Sequence, residues 1–166
     1  MGRYGAKFNQ NGTNGAMAIL REKSIYVGEY EHSVDGKGRI TIPAKWRFRG
    51  DDREVYLGMP NPGGYLTVYP PRMVDRLEGS ISEIGMADED GQELLMDLFA
   101  RADVFGCDKQ GRINLTEGLL AHAGIKKEAI LVGNFTSFSI WCSERYRGRE
   151  PRDLRSLHKT IQSLKV

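Results

Sequence analysis

Apolar positions recur along this chain with two periods. Residues Arg39-Ile40-Thr41-Ile42 and Arg112-Ile113-Asn114-Leu115 alternate strictly, placing Ile and Leu on one face and Arg with Thr or Asn on the other. That is the period of a half-buried strand. Extended segments are expected just before them, at 26–32 and 103–107. Strand pairs are expected after them, 54–59 with 65–69 and 128–132 with 138–142, around turns at Asn61-Pro62-Gly63-Gly64 and Gly133-Asn134. Helical spacing appears at Leu94, Leu95, Leu98 and Phe99 behind the acids Asp88-Glu89-Asp90, the charge that suits a helix start. It appears again at Leu119, Leu120 and Ala123, with Thr116 as N-cap and Gly124 at the residue after the end. Pro43 suits a first helical position before Ala44-Lys45-Trp46-Arg47. A last amphipathic stretch, 153–166, carries Leu154, Leu157, Ile161 and Leu164 with Arg155, Lys159 and Lys165 elsewhere.

These elements repeat. Asp35, Gly38, Arg39 and Ile40 recur 73 residues later as Asp108, Gly111, Arg112 and Ile113. Downstream, Glu54-Val55-Tyr56-Leu57 resembles Glu128-Ala129-Ile130-Leu131, and Leu66-Thr67-Val68-Tyr69 resembles Phe138-Ser139-Ile140-Trp141. In each copy an extended segment enters an Asp- and Gly-containing turn and a short strand leaves it. Asp accepts a backbone N–H two residues on, and glycine takes positive φ without Cβ strain. D-x-x-G-R therefore reads as a β-hairpin with its Arg at the tip. A unit of this size is near the lower limit for a core of its own, so the two copies are expected to share one core.

Composition adds little until it is divided along the chain. Lys plus Arg is 24 and Asp plus Glu is 22 in 166 residues, a net charge of +2. Residues 1–24 carry +3, residues 25–146 carry −5 (14 basic, 19 acidic) and residues 147–166 carry +4. Within the acidic body, residues 36–50 hold Lys37, Arg39, Lys45, Arg47 and Arg49 with no acid, while 75–103 hold nine acids against Arg76 and Arg101. With screening over ~8 Å in physiological salt, local charge outweighs the total. Such a patch is what phosphate recognition needs. The plainer alternative is that these cations only solvate a turn and a helix face. Two matched arginine forks, each able to bond guanine O6 and N7, favour the major groove of DNA.

Other chemistry has weaker support. The charge-free run 129–142 is shorter than the roughly 20 residues of a membrane span. The apolar cluster 16–20 is too short for a secretory leader. Cys107 and Cys142 are expected as reduced thiols, and His32, His122 and His158 lie far apart without a zinc-ligand spacing.

The stretch from Gly28 through Val34-Asp35-Gly36-Lys37-Gly38-Arg39-Ile40-Thr41-Ile42-Pro43 closely resembles the opening of MraZ proteins. His122-Ala123-Gly124-Ile125-Lys126-Lys127-Glu128 through Gly133 resembles their second half. The resemblance covers about 25–146. It implies a bacterial transcriptional regulator of the division and cell-wall gene cluster. It further implies tandem domains related to the AbrB/SpoVT swapped-hairpin fold, assembly into rings, and binding to short G-containing direct repeats upstream of the protein's own operon. Carried over, it makes Asp35 with Arg39, and Asp108 with Arg112, the DNA-binding motif, the Arg contacting DNA and the Asp holding the turn. Lys37 aligns with Gln110, Lys109 with Gly36 and Pro43 with Thr116. Lys45 and Arg47 have no basic counterparts in the second copy, so the first copy is expected to dominate phosphate contact, with Lys37, Lys45, Arg47 and Lys109 joining the interface.

The expected architecture is mixed and mainly β, a pseudo-two-fold swapped-hairpin AbrB-like barrel of two tandem repeats with short flanking helices. Its parts are a disordered extension at 1–24, a first repeat at 25–73, a helical linker at 74–101, a second repeat at 102–146 and a basic amphipathic tail at 147–166. The expected partners are double-stranded DNA at promoter direct repeats and further copies of the chain in a ring. No cofactor, metal, membrane or small-molecule substrate is expected, and the location is the cytoplasm at the nucleoid. Two other functions stay open: an antitoxin-like module whose tail binds a protein partner, and a barrel enzyme using Asp35 and Asp108 with a neighbouring histidine.

Overall fold

In the computed structural model, residues 24–48 and 55–164 are described. The expected disorder of 1–24, apart from Ser24, lies outside them, as does Arg49. Strands β1 (Glu29–Ser33) and β2 (Arg39–Thr41) are followed by a single 3-10 turn, Ala44–Trp46, and by β3 (Tyr56–Asn61) and β4 (Tyr65–Tyr69). Helices α1 (Pro71–Ser82) and α2 (Glu89–Phe99) lead to β5 (Asp103–Phe105) and β6 (Arg112–Asn114). Helix α3 (Glu117–Ala123), strands β7 (Glu128–Gly133) and β8 (Phe138–Cys142), and helices α4 (Ser143–Arg147) and α5 (Leu154–Ser163) complete the order. No helix of the described residues is long and apolar enough to cross a membrane.

The mixed, mainly β architecture is as expected, but the barrel is not closed. Six strands form one antiparallel sheet in the order β1-β7-β8-β4-β3-β5, with β1 and β5 at its ends, and β2 pairs only with β6 in a second, two-stranded sheet. The three-residue β2, β5 and β6 provide too few ladder bonds to carry the sheet round into closure. The sheet order is symmetric about the β8–β4 contact, where Thr67 faces Ser139. The edge strands are exchanged: β1 of the first half pairs with β7, and β5 of the second half pairs with β3. The pairing also corrects one alignment. Leu57 opposes Tyr69 as Ile130 opposes Trp141, so Leu57 corresponds to Ile130, and the offset of 73 holds through β3.

Both halves supply the core. Ile40 and Ile113, opposite each other in β2–β6, are both 0% exposed. Trp46 sits edge-on to Tyr26 at 5.5 Å between ring centroids and packs on Phe138 at 5.3 Å. Each such side chain contributes about 1.5–3 kcal/mol by leaving water, and neither half could bury its share alone.

The helices follow their local signals unevenly. The Thr116 hydroxyl accepts from Leu119 N, and Gly124 ends α3 at φ 65°. The Asp88 carboxylate accepts from Gly91 N and starts α2. Helix α1, which overlaps the helical linker expected at 74–101 and starts three residues before it, has no side-chain cap and rests on β3 and β4. Cys107 and Cys142 are half-buried and are not joined in a disulfide.

Candidate nucleic-acid interface

The two D-x-x-G-R turns have the same construction. Asp35 Oδ1 accepts from Lys37 N and Arg39 N, both at 2.9 Å, and Oδ2 accepts from Arg39 Nε at 2.6 Å. Asp108 Oδ1 accepts from Gln110 N and Arg112 N, both at 2.9 Å, and Oδ2 from Arg112 Nε at 2.8 Å. The turns close through Gly38 N to Asp35 O and Gly111 N to Asp108 O, each 3.0 Å. The glycines stand at φ 76° and 79°, a region that only glycine enters without strain. They also lock the halves together: Ile42 N donates to Gly111 O and Leu115 N to Gly38 O.

The aspartates hold their charge strongly. The backbone N–H of Arg39, above all, keeps the Asp35 carboxyl below its ordinary range, against a smaller opposing effect of lost hydration. The Arg112 N–H does the same for Asp108. Because these carboxylates are exposed, the ion pairs add little stability; their effect is geometric. Nε is spent on the carboxylate, which leaves each guanidinium its two Nη groups for other acceptors. Among the described residues no protein group accepts from them, and the side chains are 32% and 28% exposed. Two parallel charged donors on an anchored plane match two acceptors on one edge, such as phosphate oxygens or guanine O6 and N7.

The strand pairing puts both forks on one surface. Arg39 opposes Asn114 and Thr41 opposes Arg112. The buried Ile40–Ile113 pair points inward, so all four polar side chains share the outward face. The Arg is not at a hairpin tip, which corrects the expectation. It is the first residue of the strand after the turn, and the expected β1–β2 hairpin reduces to one bridge, Val34 with Ile40. Three-residue strands lean on each other here instead of on their own entry strands. The alternation that carries the arginines places Thr41 and Asn114 beside them.

The remaining candidates break the symmetry. Lys37 and Lys109 are exposed in the two turns, and Lys45 is exposed on the 3-10 turn. Arg47 donates from Nε to Ile42 O at 3.0 Å, and its guanidinium lies against Gly111. Its counterpart, Leu120, approaches Gly38 with Cδ1. The first half thus seats a cation at the second half's turn, and the second half returns a hydrocarbon. Burial chiefly, and the Arg47 charge next, lower the pKa of half-buried His32. His122 bonds Asn61 O at 2.6 Å and His158 bonds Gln162. Both aspartates bond within their own turns.

Comparison with known proteins adds an independent line. Residues 98–159 match the family model described as "MraZ protein, putative antitoxin-like". A protein named Transcriptional regulator MraZ from Ligilactobacillus salivarius (strain UCC118) is 33% identical over 123 residues, covering 74% of this chain and 84% of the relative. Another of that name, from Thermomicrobium roseum (strain ATCC 27502 / DSM 5159 / P-2), is 36% identical over 126 residues, covering 74% and 84%.

Proposed function

The chain belongs to the MraZ family, and on that premise we propose that it is a sequence-specific, double-stranded-DNA-binding transcriptional regulator. Its target would be short direct repeats upstream of its own operon in the division and cell-wall gene cluster. It would work without a cofactor or small-molecule substrate, as a homo-oligomeric ring in the cytoplasm at the nucleoid. The observation that carries the reading is the pair of Asp-anchored guanidinium forks on one face of the β2–β6 ribbon. A two-stranded ribbon fits the major groove, and an arginine fork is the commonest specific contact to guanine. Asn114 and Thr41 stand beside the forks, with adenine edges and thymine methyls as natural partners. Lys37, Lys45, Arg47 and Lys109 would engage phosphates, which position the protein without reading sequence. Several subunits on several repeats raise the effective concentration of each successive contact. The same hydrogen bonds speak against acid–base catalysis by Asp35 and Asp108, since both carboxylates are held in their charged form by their own turns.

The test is binding of the full chain to a duplex from its own upstream region, compared with a scrambled duplex across a salt series. Each of Arg39→Ala and Arg112→Ala is expected to weaken specific binding roughly 5- to 150-fold, from about 1–3 kcal/mol per bidentate contact, with oligomer size unchanged. Full retention of affinity and base preference in both variants would overturn the assignment.

A further inference from the structure

The β2–β6 ribbon pairs Arg-Ile-Thr with Arg-Ile-Asn, so its two strands differ at one position only. Four side chains face outward in two rungs: Arg39 stands opposite Asn114, and Arg112 stands opposite Thr41. Residues paired in this way are about 4.5–5.5 Å apart at Cβ. The rungs are two residues apart along each strand, ~6.7 Å, close to two base-pair steps of ~3.4 Å. A half turn about the pseudo-dyad exchanges Arg39 with Arg112 and leaves the guanidinium pattern as it was. It also exchanges Thr41 with Asn114, and there the pattern changes.

The Asn114 amide is open to a ligand. The residue is exposed, and its Oδ1 stands beside the first turn, 3.6 Å from where a Cβ on Gly38 would lie. Among the described residues no protein group hydrogen-bonds to this amide. A carboxamide offers a donor and an acceptor side by side, the complement of adenine N6–H and N7. Half-buried Thr41 offers a hydroxyl that bonds many partners and a methyl that suits thymine.

The surrounding cations supply no such direction. Phosphate contacts carry no sequence information. Arg47, seated at the second turn only, therefore turns over with the subunit without changing which bases are read. Lys37 and Gln110 also differ between the copies, but both belong to the turns that precede the ribbon.

We propose that Asn114 fixes the direction in which a subunit lies on its duplex. Arg39 and Asn114 read a guanine and the adenine beside it, and Arg112 with Thr41 reads a second guanine with no adenine required. The inference rests on the DNA reading proposed above and names the side chain that makes it directional. The guanidinium pair by itself would bind either way round.

The test is binding of the full chain to a short duplex carrying one repeat from its own upstream region, with each base pair replaced in turn. Asn114→Thr should weaken binding to the natural duplex roughly 5- to 150-fold, the discrimination of one bidentate contact. It should remove the preference at one adenine and leave both guanine preferences. Thr41→Asn/Asn114→Thr moves the carboxamide to the other rung and should recover the natural affinity, because the subunit then binds turned half round. Thr41→Asn alone should favour, by a similar factor, a duplex with adenine beside both guanines. Gln110→Lys, which copies Lys37 into the second turn, should leave the base preferences unchanged. Circular dichroism and oligomer mass should stay the same throughout. Four results overturn the proposal: unaltered base preferences in Asn114→Thr, a double variant as weak as Asn114→Thr, a Thr41→Asn chain indifferent to the second adenine, or a lost adenine preference in Gln110→Lys. An unsubstituted chain that binds its own duplex no better than a scrambled one overturns this inference and the DNA reading together. A specific chain that ignores the Asn114 substitutions overturns this inference alone.

Discussion

The Arg47 guanidinium lies against Gly111, so a cation of the first half is seated in the D-x-x-G-R turn of the second. Leu120 holds the matching place at Gly38, and the outward ribbon is therefore symmetric in its arginine forks but not in its surrounding charge. Arg47→Leu should make the two ends alike. In a salt titration of DNA affinity the slope is expected to fall by about one phosphate's worth, with weaker binding to every sequence. The lost Nε bond to Ile42 O should cost about 1 kcal/mol in a urea unfolding curve. Leu120→Arg should raise the slope instead.

Asp35 and Asp108 set a pH dependence whose sign is fixed. Both carboxyls titrate below their ordinary value of 3.8 in the folded chain, chiefly because backbone N–H groups bond the charged form. The folded state then binds fewer protons than the unfolded one. The resulting stability is present above pH ~4 and is lost as pH falls through the lowered folded-state values. Melting temperatures followed from pH 6 down to pH 2.5 should fall more steeply for the unsubstituted chain than for Asp35→Asn/Asp108→Asn. At pH 7 the double variant should also lose specific DNA binding, since both guanidinium planes lose their anchor.

Ile40 and Ile113 meet face to face across the pseudo-dyad, both fully buried. Either Ile→Ala substitution is expected to cost about 2–5 kcal/mol in urea unfolding. The double variant should cost measurably less or more than the sum, because the residues share one contact. Strict additivity would show that the ribbon does not unite the halves.

Gly58 of β3 leaves room for the Phe105 ring of β5. A Cβ there would come within 2.7 Å of Phe105 Cε1. Gly58→Ala should force the ring and its short strand outward, at about 1–3 kcal/mol. Amide exchange at Asp103–Phe105 should quicken, while β7 and β8 stay protected.

Features made by neighbours along the chain are legible in the residue order itself. Each D-x-x-G-R turn closes within five residues, so its Asp acceptor, its glycine and its Arg donor follow from spacing alone. The same holds for the Asp88 and Thr116 caps and the αL glycine at 124. Helix α1 falls largely inside the span 74–101 expected to be helical, but its start at Pro71 has no capping side chain to mark it and is set by packing on β3 and β4. The one-residue misalignment of β3 with β7 comes from residue likeness, and only the ladder partners of Leu57 and Ile130 correct it.

The sequence by itself determined the repeated turns, the strands around them and the segregation of charge, because these depend on residues a few positions apart. Tertiary structure decided which strand pairs with which, and so that both arginine forks share one ribbon instead of standing on separate hairpins. It also decided that Arg47 rests on the other half's glycine. Those outcomes rest on partners roughly 45–100 residues away, and no local propensity encodes the contest among alternative partners that burial and backbone hydrogen bonding resolve.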